Sequence, residues 1–327
     1  MIVPRSAFEV GSMPPRMTDS NRSLLTLRGL DAATLTALLD RTESLLPVAQ
    51  GIERMSKTDA GAMVGLLFLE NSTRTRCSFE TALHRLGHHP VSLTGQGSSV
   101  GKGESLTDTA ANIAAMGVRA LVVRTSYSGG ADLVARVTGV PTINAGDGRH
   151  EHPTQGLLDA STLLAHLGSL RGKRILIVGD ILNSRVARSN IHALATLGAT
   201  VVLVGPPSLV PWVFAEFGPT IEISHDLDAV LESADAVMML RIQLERDAGK
   251  SVSSDYRMAF GMTSSRASRL PEGVPVLHPG PINRGVELDD EVAADLARCL
   301  VLEQVSRGVA ARMAILERAL VLNARIK

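Results

Sequence analysis

Short, strongly apolar runs alternate with helical segments along most of this chain, and this alternation constrains its fold more than any other feature. The runs have the length of buried strands and lie at residues 62–69, 91–93, 120–123, 141–144, 175–178, 201–204, 221–224, 236–239 and 274–277. Between many of them, apolar residues recur at three- and four-residue spacing, and two of these helical segments end at a glycine, one at Gly87 and the one predicted over 188–197 at Gly198. Strands that alternate with helices favour parallel sheets. We therefore predict an α/β fold.

The length of the chain and a break in this pattern predict two domains. The 327 residues exceed one domain of ordinary size, and hydrophobic residues make up 45% of them, enough for two cores. A break follows the helix predicted over 157–167. We place the first domain at 1–155, including an irregular tail over 1–22, the second at 156–300, and a C-terminal helix at 301–327 that packs back on the first. The final helical region is predicted to start at Asp289, with a break near Gly308.

Charge and cysteine content argue against several classes of protein. Lys plus Arg equals Asp plus Glu at 33 each, which is not the balance of a non-specific nucleic-acid or membrane binder. The two cysteines, Cys77 and Cys299, do not make a disulfide framework and fit a reducing compartment. The sequence contains no apolar run of membrane-spanning length and no compact signal region at its start. We expect a cytoplasmic protein.

The turn after the first predicted strand is rich in groups that bind anions. Residues 72–76 read Ser-Thr-Arg-Thr-Arg, and apolar residues at helical spacing follow them, so the turn lies at a helix N-terminus. Unpaired backbone N–H groups and the helix dipole attract anions there, and the hydroxyl groups together with Arg74 and Arg76 add donors. The turn therefore predicts a phosphate pocket without a glycine loop or a metal. The alternative is that Ser72 caps an ordinary helix and that the arginines are solvated.

Polar side chains also follow several later strands. They are Arg124, the cluster at 146–155, Arg185, Arg241 with Gln243, and the segment 278–281. In open parallel sheets, ligands bind beyond the carboxyl ends of the strands. Loop composition explains one or two such cases but not all of them. The sequence therefore predicts a ligand site where these strand ends meet.

The stretch Phe-Leu-Glu-Asn-Ser-Thr-Arg-Thr-Arg at 68–76, followed by Ser-Phe-Glu at 78–80, resembles the carbamoyl-phosphate motif of the aspartate/ornithine carbamoyltransferase family. The resemblance continues in the same order along nearly the whole chain, and His-Pro-Thr-Gln at 152–155 resembles the carbamoyl-binding signature of that family. It implies two tandem parallel-sheet α/β domains, with an active site in the cleft between them that transfers a carbamoyl group to an amine.

The resemblance also implies individual roles. The residues that match the phosphate contacts are Ser72, Thr73, Arg74 and Thr75. Those that match the contacts to the carbonyl oxygen are Thr75, Arg124 and His152, while Gln155 matches the residue near the carbamoyl amino group, and Pro279 and Gly280 match backbone contacts to the substrate. Donors aimed at that oxygen suit the reaction, because the oxygen gains negative charge as the amine attacks. The alternative for His152 is a histidine that holds a loop in place.

Gly-Lys-Gly-Glu-Ser at 101–105 resembles the mobile lysine loop of the aspartate branch. In that branch the loop reaches the active site of the next subunit, where its lysine, here Lys102, and a serine contact the phosphate. The serine is Ser98, or Ser99 if the loop differs by one residue. The resemblance implies a homotrimer with shared active sites; the alternative is a flexible loop with a solvated lysine.

The second substrate distinguishes the branches of the family. Aspartate has two carboxylates, and an arginine binds a carboxylate through two parallel hydrogen bonds. Arg185 and Arg241 match the two arginines for aspartate, with Gln243 beside the second and Lys102 also near the substrate. The Ser-Met-Gly segment typical of ornithine enzymes is missing, and Pro279 stands where their cysteine would be. These differences favour L-aspartate, although ornithine, another amine or a catalytically silent scaffold remain alternatives.

One motif departs from the commoner pattern of the aspartate branch. His-Pro-Gly-Pro-Ile-Asn-Arg-Gly at 278–285 has Gly280 where a leucine is usual, which predicts a looser loop and leaves the place of Arg284 open. The variant resembles bacterial forms that assemble with a dihydroorotase-type chain.

We expect no metal or organic cofactor. His150, Glu151 and His152 have no matching second cluster for zinc, and no Gly-x-Gly-x-x-Gly follows the strand at 175–178. The reaction implied by the resemblance gives N-carbamoyl-L-aspartate and phosphate, an early step of pyrimidine biosynthesis.

Overall fold

Two parallel β-sheets, each flanked by helices, form the molecule. The structure is a computed structural model that describes residues 22–55, 61–95, 103–242 and 256–321. The first sheet has four strands in the order β2-β1-β3-β4, and the second has five in the order β7-β6-β5-β8-β9. In the described residues all neighbouring strands of these sheets run parallel. The predicted fold class is therefore confirmed.

The strands are β1 (Met63–Phe68), β2 (His89–Thr94), β3 (Ala120–Thr125), β4 (Thr142–Asp147), β5 (Arg174–Val178), β6 (Thr200–Val204), β7 (Ile221–Ser224), β8 (Ala236–Met239) and β9 (Val276–Leu277). The helices are α1 (Ala32–Ala49), α2 (Thr73–Leu86), α3 (Leu106–Ala115), α4 (Gly130–Thr138), α5 (Pro153–Leu167), α6 (Arg185–Thr196), α7 (Tyr256–Phe260), α8 (Ser264–Arg269), α9 (Asp290–Ala294) and α10 (Val301–Val321). Two 3-10 helices, Trp212–Phe217 and Leu231–Ser233, belong to the second half.

Local sequence explains where several elements begin and end. Asp31 caps α1 by accepting a hydrogen bond of 2.8 Å from the Thr34 backbone N–H. Helix α2 ends at Gly87, whose φ of 77° is a left-handed conformation that glycine adopts at low cost. Strand β1 lies between β2 and β3, so both its edges are hydrogen-bonded, and its residues from 64 to 68 are all buried.

Helices α5 and α10 connect the two halves. Helix α10 packs against α1, α2 and α5, and α5 also packs against α6 of the second half. The first eleven residues of α5, from Pro153 to Leu163, are buried. The residues at the start of α5 therefore lie between the carboxyl ends of both sheets. None of the helices in the described residues has both the length and the apolar character required to cross a bilayer.

The predicted break near Gly308 is wrong. Helix α10 runs without interruption through this position, and the break in the final helical region lies between α9 and α10. A Cβ at Gly308 would lie 2.7 Å from Arg312 Nη1 and 3.1 Å from Leu158 Cδ2. This glycine therefore permits close packing of α10 against α5 rather than ending a helix.

Two helices also begin earlier than the apolar spacing predicted. Helix α5 starts at Pro153 instead of residue 157, and α6 starts at Arg185 instead of residue 188. The predicted tail at 1–22 lies outside the described residues except for Arg22.

Candidate active site

A cavity of about 600 Å³ lies where the carboxyl ends of the two sheets face each other. Among the residues predicted for the site, those that line this cavity are Ser72, Thr73, Arg74, Thr75, Arg124, His152, Gln155, Arg185, Arg241, Pro279 and Gly280. Ser98, Ser99, Lys102 and Gln243 lie outside the described residues. The strand-end pattern therefore places groups from distant parts of the chain around one space.

The turn before α2 presents its hydroxyl groups to the cavity. Ser72 is the N-terminal cap residue of α2 by position, but its side chain makes no capping hydrogen bond. Its hydroxyl therefore does not have the capping role that was the alternative to anion binding. The backbone N–H groups at the start of α2, together with the hydroxyls of Thr73 and Thr75, line the same side of the cavity.

Of the two arginines in this turn, only Arg74 lines the cavity. Arg76 is 37% exposed at its side chain and lies 3.9 Å from Glu80 on the outer face of α2. Residues two apart on a helix point in nearly opposite directions, because each residue turns the helix by about 100°. The expectation that both guanidinium groups would serve the anion pocket is therefore wrong for Arg76.

Gly280 allows the 278–281 loop to approach Arg74 closely. The residue has a φ of 65°, and a Cβ built on it would overlap Arg74 Nη1. The loop is also well fastened, because the Gly280 backbone N–H donates to His278 Nδ1 at 2.7 Å and the His278 N–H donates to Gln304 Oε1 at 3.0 Å. Arg284 lies away from the cavity and pairs with Asp290 at 2.9 Å. Because Gly280 has no side chain, the guanidinium group of Arg74 can occupy the space beside it.

Positive charge dominates the cavity wall. The described lining residues include five guanidinium groups, those of Arg74, Arg124, Arg185, Arg241 and Arg312, and one carboxylate, that of Glu70. Burial lowers the pKa of Arg124 to about 9, and the charge of Arg185 acts in the same direction while Glu70 opposes both. The pKa of Arg74 is also lowered, first by burial and then by Arg241. Such a wall favours a ligand that carries several negative charges.

Glu70 bridges the two halves of the molecule, although the sequence analysis gave it no role. Its carboxylate accepts two hydrogen bonds from Arg185, of 2.8 and 2.9 Å, and its Oε1 lies 3.5 Å from Arg124 Nη2. Its position inside a strongly basic motif was the one feature of the sequence that could have indicated this role. Glu70 thus occupies the guanidinium fork that the resemblance implies for a substrate carboxylate.

We expect Glu70→Gln to lower the free energy of unfolding by about 2 kcal/mol, because two partly buried guanidinium groups would lose their shared counterion. Chemical denaturation would measure the loss, and inorganic phosphate should restore more stability to the variant than it adds to the parent. The matched control is Glu80→Gln, which alters a more exposed carboxylate 3.9 Å from Arg76 and should cost less than about 0.5 kcal/mol. Equal losses in the two variants would contradict the bridging role.

His152 is buried at the start of α5 and is held there by its backbone. Its N–H donates to Ser189 Oγ at 2.9 Å, and its Nδ1 lies 3.3 Å from Thr154 Oγ1. Burial and the nearby charges of Arg124, Arg185 and Arg312 hold the pKa of His152 well below its usual range. The imidazole is therefore neutral at physiological pH, which lets one ring nitrogen donate and the other accept.

We expect the pKa of the His152 ring to lie well below the ordinary histidine value of 6.5, since its charged form is opposed by burial and by three arginines. Nitrogen-15 NMR of labelled histidine would follow it, with His152→Gln assigning the resonance. His150 is the internal control, because its hydrogen bond to Asp147 raises its pKa, so it should titrate above its ordinary value of 6.5. A His152 midpoint near 6.5 would contradict the neutral imidazole.

Glu151, between these two histidines, has a structural role. Its carboxylate accepts hydrogen bonds from the Leu27 backbone N–H and from Ser189 Oγ, both at 2.9 Å, and from the Thr26 hydroxyl. It therefore fastens the segment before α1 to the site. In the parts of the chain that the structure describes, no three His, Cys, Asp or Glu side chains come together as a possible metal site.

Helix α10 contributes two polar lining residues that the sequence did not predict, Gln304 and Arg312. Burial lowers the pKa of Arg312 to about 10, and its guanidinium carbon lies 5.3 Å from the centre of the Phe79 ring. An arginine within the apolar stretch 310–316 was a signal that could have identified it.

Two family models match consecutive parts of the chain. Residues 22–165 match the carbamoyl-P binding domain of aspartate/ornithine carbamoyltransferase, and residues 171–319 match the Asp/Orn binding domain of the same family. The chain belongs to the aspartate/ornithine carbamoyltransferase family. In this family context, the cavity lies between the regions matched by its two domain models.

Sequence relatives and solved structures place the chain more finely within the carbamoyltransferases. It is 50% identical over 301 residues to an aspartate carbamoyltransferase catalytic subunit of Saccharopolyspora erythraea, covering 90% of this chain and 96% of that protein. A catalytic subunit of the same name from Myxococcus xanthus is 51% identical over 298 residues, with 90% and 98% covered.

Structural similarity extends to both branches of the family. Aspartate transcarbamoylase from Trypanosoma cruzi, in complex with carbamoyl aspartate and phosphate, is 30% identical with a TM-score of 0.82, covering 90% of this chain and 95% of that one. Ornithine carbamoyltransferase from Pyrococcus furiosus is 26% identical with the same TM-score, covering 94% and 98%. Backbone similarity therefore does not separate the branches, whereas the relatives near 50% identity carry the aspartate name.

Proposed function

We propose that this chain is an aspartate carbamoyltransferase, which transfers the carbamoyl group of carbamoyl phosphate to the amino group of L-aspartate. The products are N-carbamoyl-L-aspartate and phosphate, in de novo pyrimidine biosynthesis. The observation that supports this most strongly is that every described residue to which the resemblance assigns a substrate contact lines one cavity rich in guanidinium groups. The names of the relatives near 50% identity favour aspartate over ornithine.

The phosphate of carbamoyl phosphate would bind at the start of α2. Backbone N–H groups, the hydroxyls of Ser72, Thr73 and Thr75, and the guanidinium group of Arg74 all line that part of the cavity. A phosphate dianion suits a helix N-terminus with an arginine, because both supply positive potential and hydrogen-bond donors. The lowered pKa of Arg74 indicates that its charge lacks compensation until an anion arrives.

The carbonyl group would lie against Thr75, Arg124 and His152. When the aspartate nitrogen attacks the carbonyl carbon, the oxygen becomes negative, and donors already held in place stabilise it without reorganising. The neutral His152 ring can donate a hydrogen bond from its Nε2–H to that oxygen if the Thr154 hydroxyl donates to Nδ1. The C–O bond to phosphate then breaks, and the departing phosphate takes the proton from the amine.

L-Aspartate would bind between Arg185 and Arg241. Arg241 follows β8, and Arg185 begins α6, so both belong to the second half. The Arg185 fork binds the Glu70 carboxylate in this structure, so a carboxylate of L-aspartate would displace Glu70 from it. Gln243 would lie beside the substrate, following the family motif.

We also propose a homotrimer whose active sites are completed by Lys102 and Ser98 of the next subunit, together with a cytoplasmic location. The support is the resemblance of the 101–105 loop to the lysine loop of the family. Association with a dihydroorotase-type chain is a further proposal based on the 278–285 variant. We place the carbamoyl-phosphate domain at 1–155, the aspartate domain at 156–300 and the terminal helix at 301–327, whereas the two family models match residues 22–165 and 171–319.

An acceptor panel tests the reaction. Purified chain would be given carbamoyl phosphate with L-aspartate, L-ornithine or other amines, and the ureido product and released phosphate would be measured. Product with L-aspartate alone is the expected result. Preference for ornithine would overturn the assigned acceptor, and absence of turnover with every amine would favour the scaffold alternative.

A further inference from the structure

Asp159 is a buried carboxylate that has no part in the mechanism above. It lies on α5, one helical turn after Gln155, and it is completely inaccessible to solvent. Gln155 Nε2 at 2.9 Å and Gln304 Nε2 at 2.7 Å both donate to its Oδ1, and Asn190 Nδ2 donates to its Oδ2 at 2.8 Å. Its partners are thus three amide groups from three helices, each used as a donor.

The environment keeps Asp159 ionised, and therefore only an acceptor, at neutral pH. Burial raises the pKa of Asp159 to about 6, but the three amide hydrogen bonds and the charge of Arg312 oppose this rise. An ionised carboxylate has no proton to donate. Any amide in contact with it must therefore present its nitrogen.

A backbone group independently fixes one of these amides. The His278 N–H donates to Gln304 Oε1 at 3.0 Å, and a backbone N–H cannot accept in return. Gln304 must therefore turn its nitrogen toward Asp159. The Gln304 contact therefore shows that Asp159 Oδ1 accepts hydrogen bonds, whichever way the oxygen and nitrogen of the Gln155 amide are assigned.

The remaining amide atom of Gln155 is consequently an acceptor. Gln155 lines the cavity, and its nitrogen is used by Asp159, which leaves Oε1 available to a bound molecule. In the reverse orientation the Gln155 nitrogen would face the ligand. The orientation of the Gln155 amide therefore decides whether the cavity can bind a ligand N–H group beside this residue.

We propose that Asp159 is a positioning residue that holds the Gln155 oxygen toward the cavity, so that the site selects an acyl phosphate whose acyl group carries N–H donors. The inference rests on the proposed function. Carbamoyl phosphate and acetyl phosphate share the phosphate and carbonyl groups and differ by an amino group in place of a methyl group. The ratio of their dissociation constants therefore reports on the contacts to the amino group, and its change in a variant at Asp159 or Gln155 reports on the contact at Gln155.

Two substitutions of Asp159 by residues of similar size distinguish the orientation of the Gln155 amide from the packing around Asp159. Asp159→Asn can keep an oxygen toward Gln155 and Gln304, since both donate to the same carboxylate oxygen. Its nitrogen then faces Asn190, whose amide must turn its Oδ1 toward that nitrogen and give up the hydrogen bond from Nδ2 to the Val186 carbonyl. Asp159→Thr instead presents a hydroxyl group, which donates or accepts and so does not fix the amide.

Isothermal titration calorimetry on the purified chain would give both dissociation constants. The preference for carbamoyl over acetyl phosphate should fall about three- to tenfold in Asp159→Thr and stay within about twofold of the parent in Asp159→Asn. Gln155→Met should lower the preference similarly, and adding Asp159→Thr to it should have no further effect. Thermal melting would verify folding, and Asp159→Ser is a smaller variant with the same expectation.

An unchanged preference in folded Asp159→Thr or Asp159→Ser, or an equal weakening of both ligands, would overturn the positioning role. A further loss in the Gln155→Met background would also overturn it, because Asp159 would then act by another route. If the parent chain bound neither acyl phosphate, the proposed function itself would fail. The two failures are therefore distinguishable.

Discussion

Replacing Arg74 by alanine is expected to lower kcat/KM about 10³-fold while the chain remains folded. Arg74 supplies the guanidinium group nearest the start of α2, where the phosphate would bind, and loss of one such preorganised charge removes stabilisation of the transition state. Steady-state kinetics with carbamoyl phosphate and L-aspartate would measure the loss.

Thermal melting of the same variant provides a second reading. Burial and the charge of Arg241 both lower the pKa of Arg74, and the residue stays exposed to solvent, so its charge adds little to folding stability when no anion is bound. The melting temperature of Arg74→Ala without ligand should therefore equal or exceed that of the parent. The matched control is Arg76→Ala, in the same turn of α2 but outside the cavity, which should keep near-parental activity. Near-normal turnover in Arg74→Ala would remove the phosphate-site assignment.

The Arg241→Ala variant should raise the KM for L-aspartate about 100-fold and change the KM for carbamoyl phosphate less than about threefold. Arg241 follows β8 in the second half, and an arginine binds a carboxylate through two charge-assisted hydrogen bonds that alanine cannot make. Initial rates measured while each substrate is varied in turn would separate the two constants.

The control for this variant is Arg284→Ala. Arg284 also belongs to the second half, but it lies on the surface and pairs with Asp290 at 2.9 Å. Its removal should leave both KM values unchanged within error. If Arg241→Ala weakened both substrates equally, the division of the two substrates between the two halves would be contradicted.

Local pattern predicted the parts of the site that follow from strand geometry. Because the carboxyl ends of parallel strands meet at one edge of a sheet, Arg241 and the 278–281 segment, which follow neighbouring strands of the second sheet, could be expected to converge once the strands were identified. Their meeting with Arg124 of the first sheet was implied by the family resemblance. The role of His152 came from its motif, since one histidine near a loop is weak evidence by itself. The sequence did not show that α5 starts at Pro153, because its first residues lack the apolar spacing that was used.

Contacts between distant residues could not be predicted from local pattern. The Glu70–Arg185 pair and the Asp159–Gln304 hydrogen bond join residues 115 and 145 positions apart, and no local periodicity records such pairings. Gly308 shows the same limit, because helix propensity predicted a break where close packing against Leu158 keeps the helix continuous.

A crystal structure of the chain with N-(phosphonacetyl)-L-aspartate tests the central claim most directly, because this molecule joins a phosphonate to an aspartate moiety. The same compound is bound in an aspartate transcarbamoylase structure from Trypanosoma cruzi. We predict the phosphonate against residues 72–75 at the start of α2 and the two carboxylates on Arg185 and Arg241. A ligand bound elsewhere, or a cavity left empty at saturating concentration, would contradict the account.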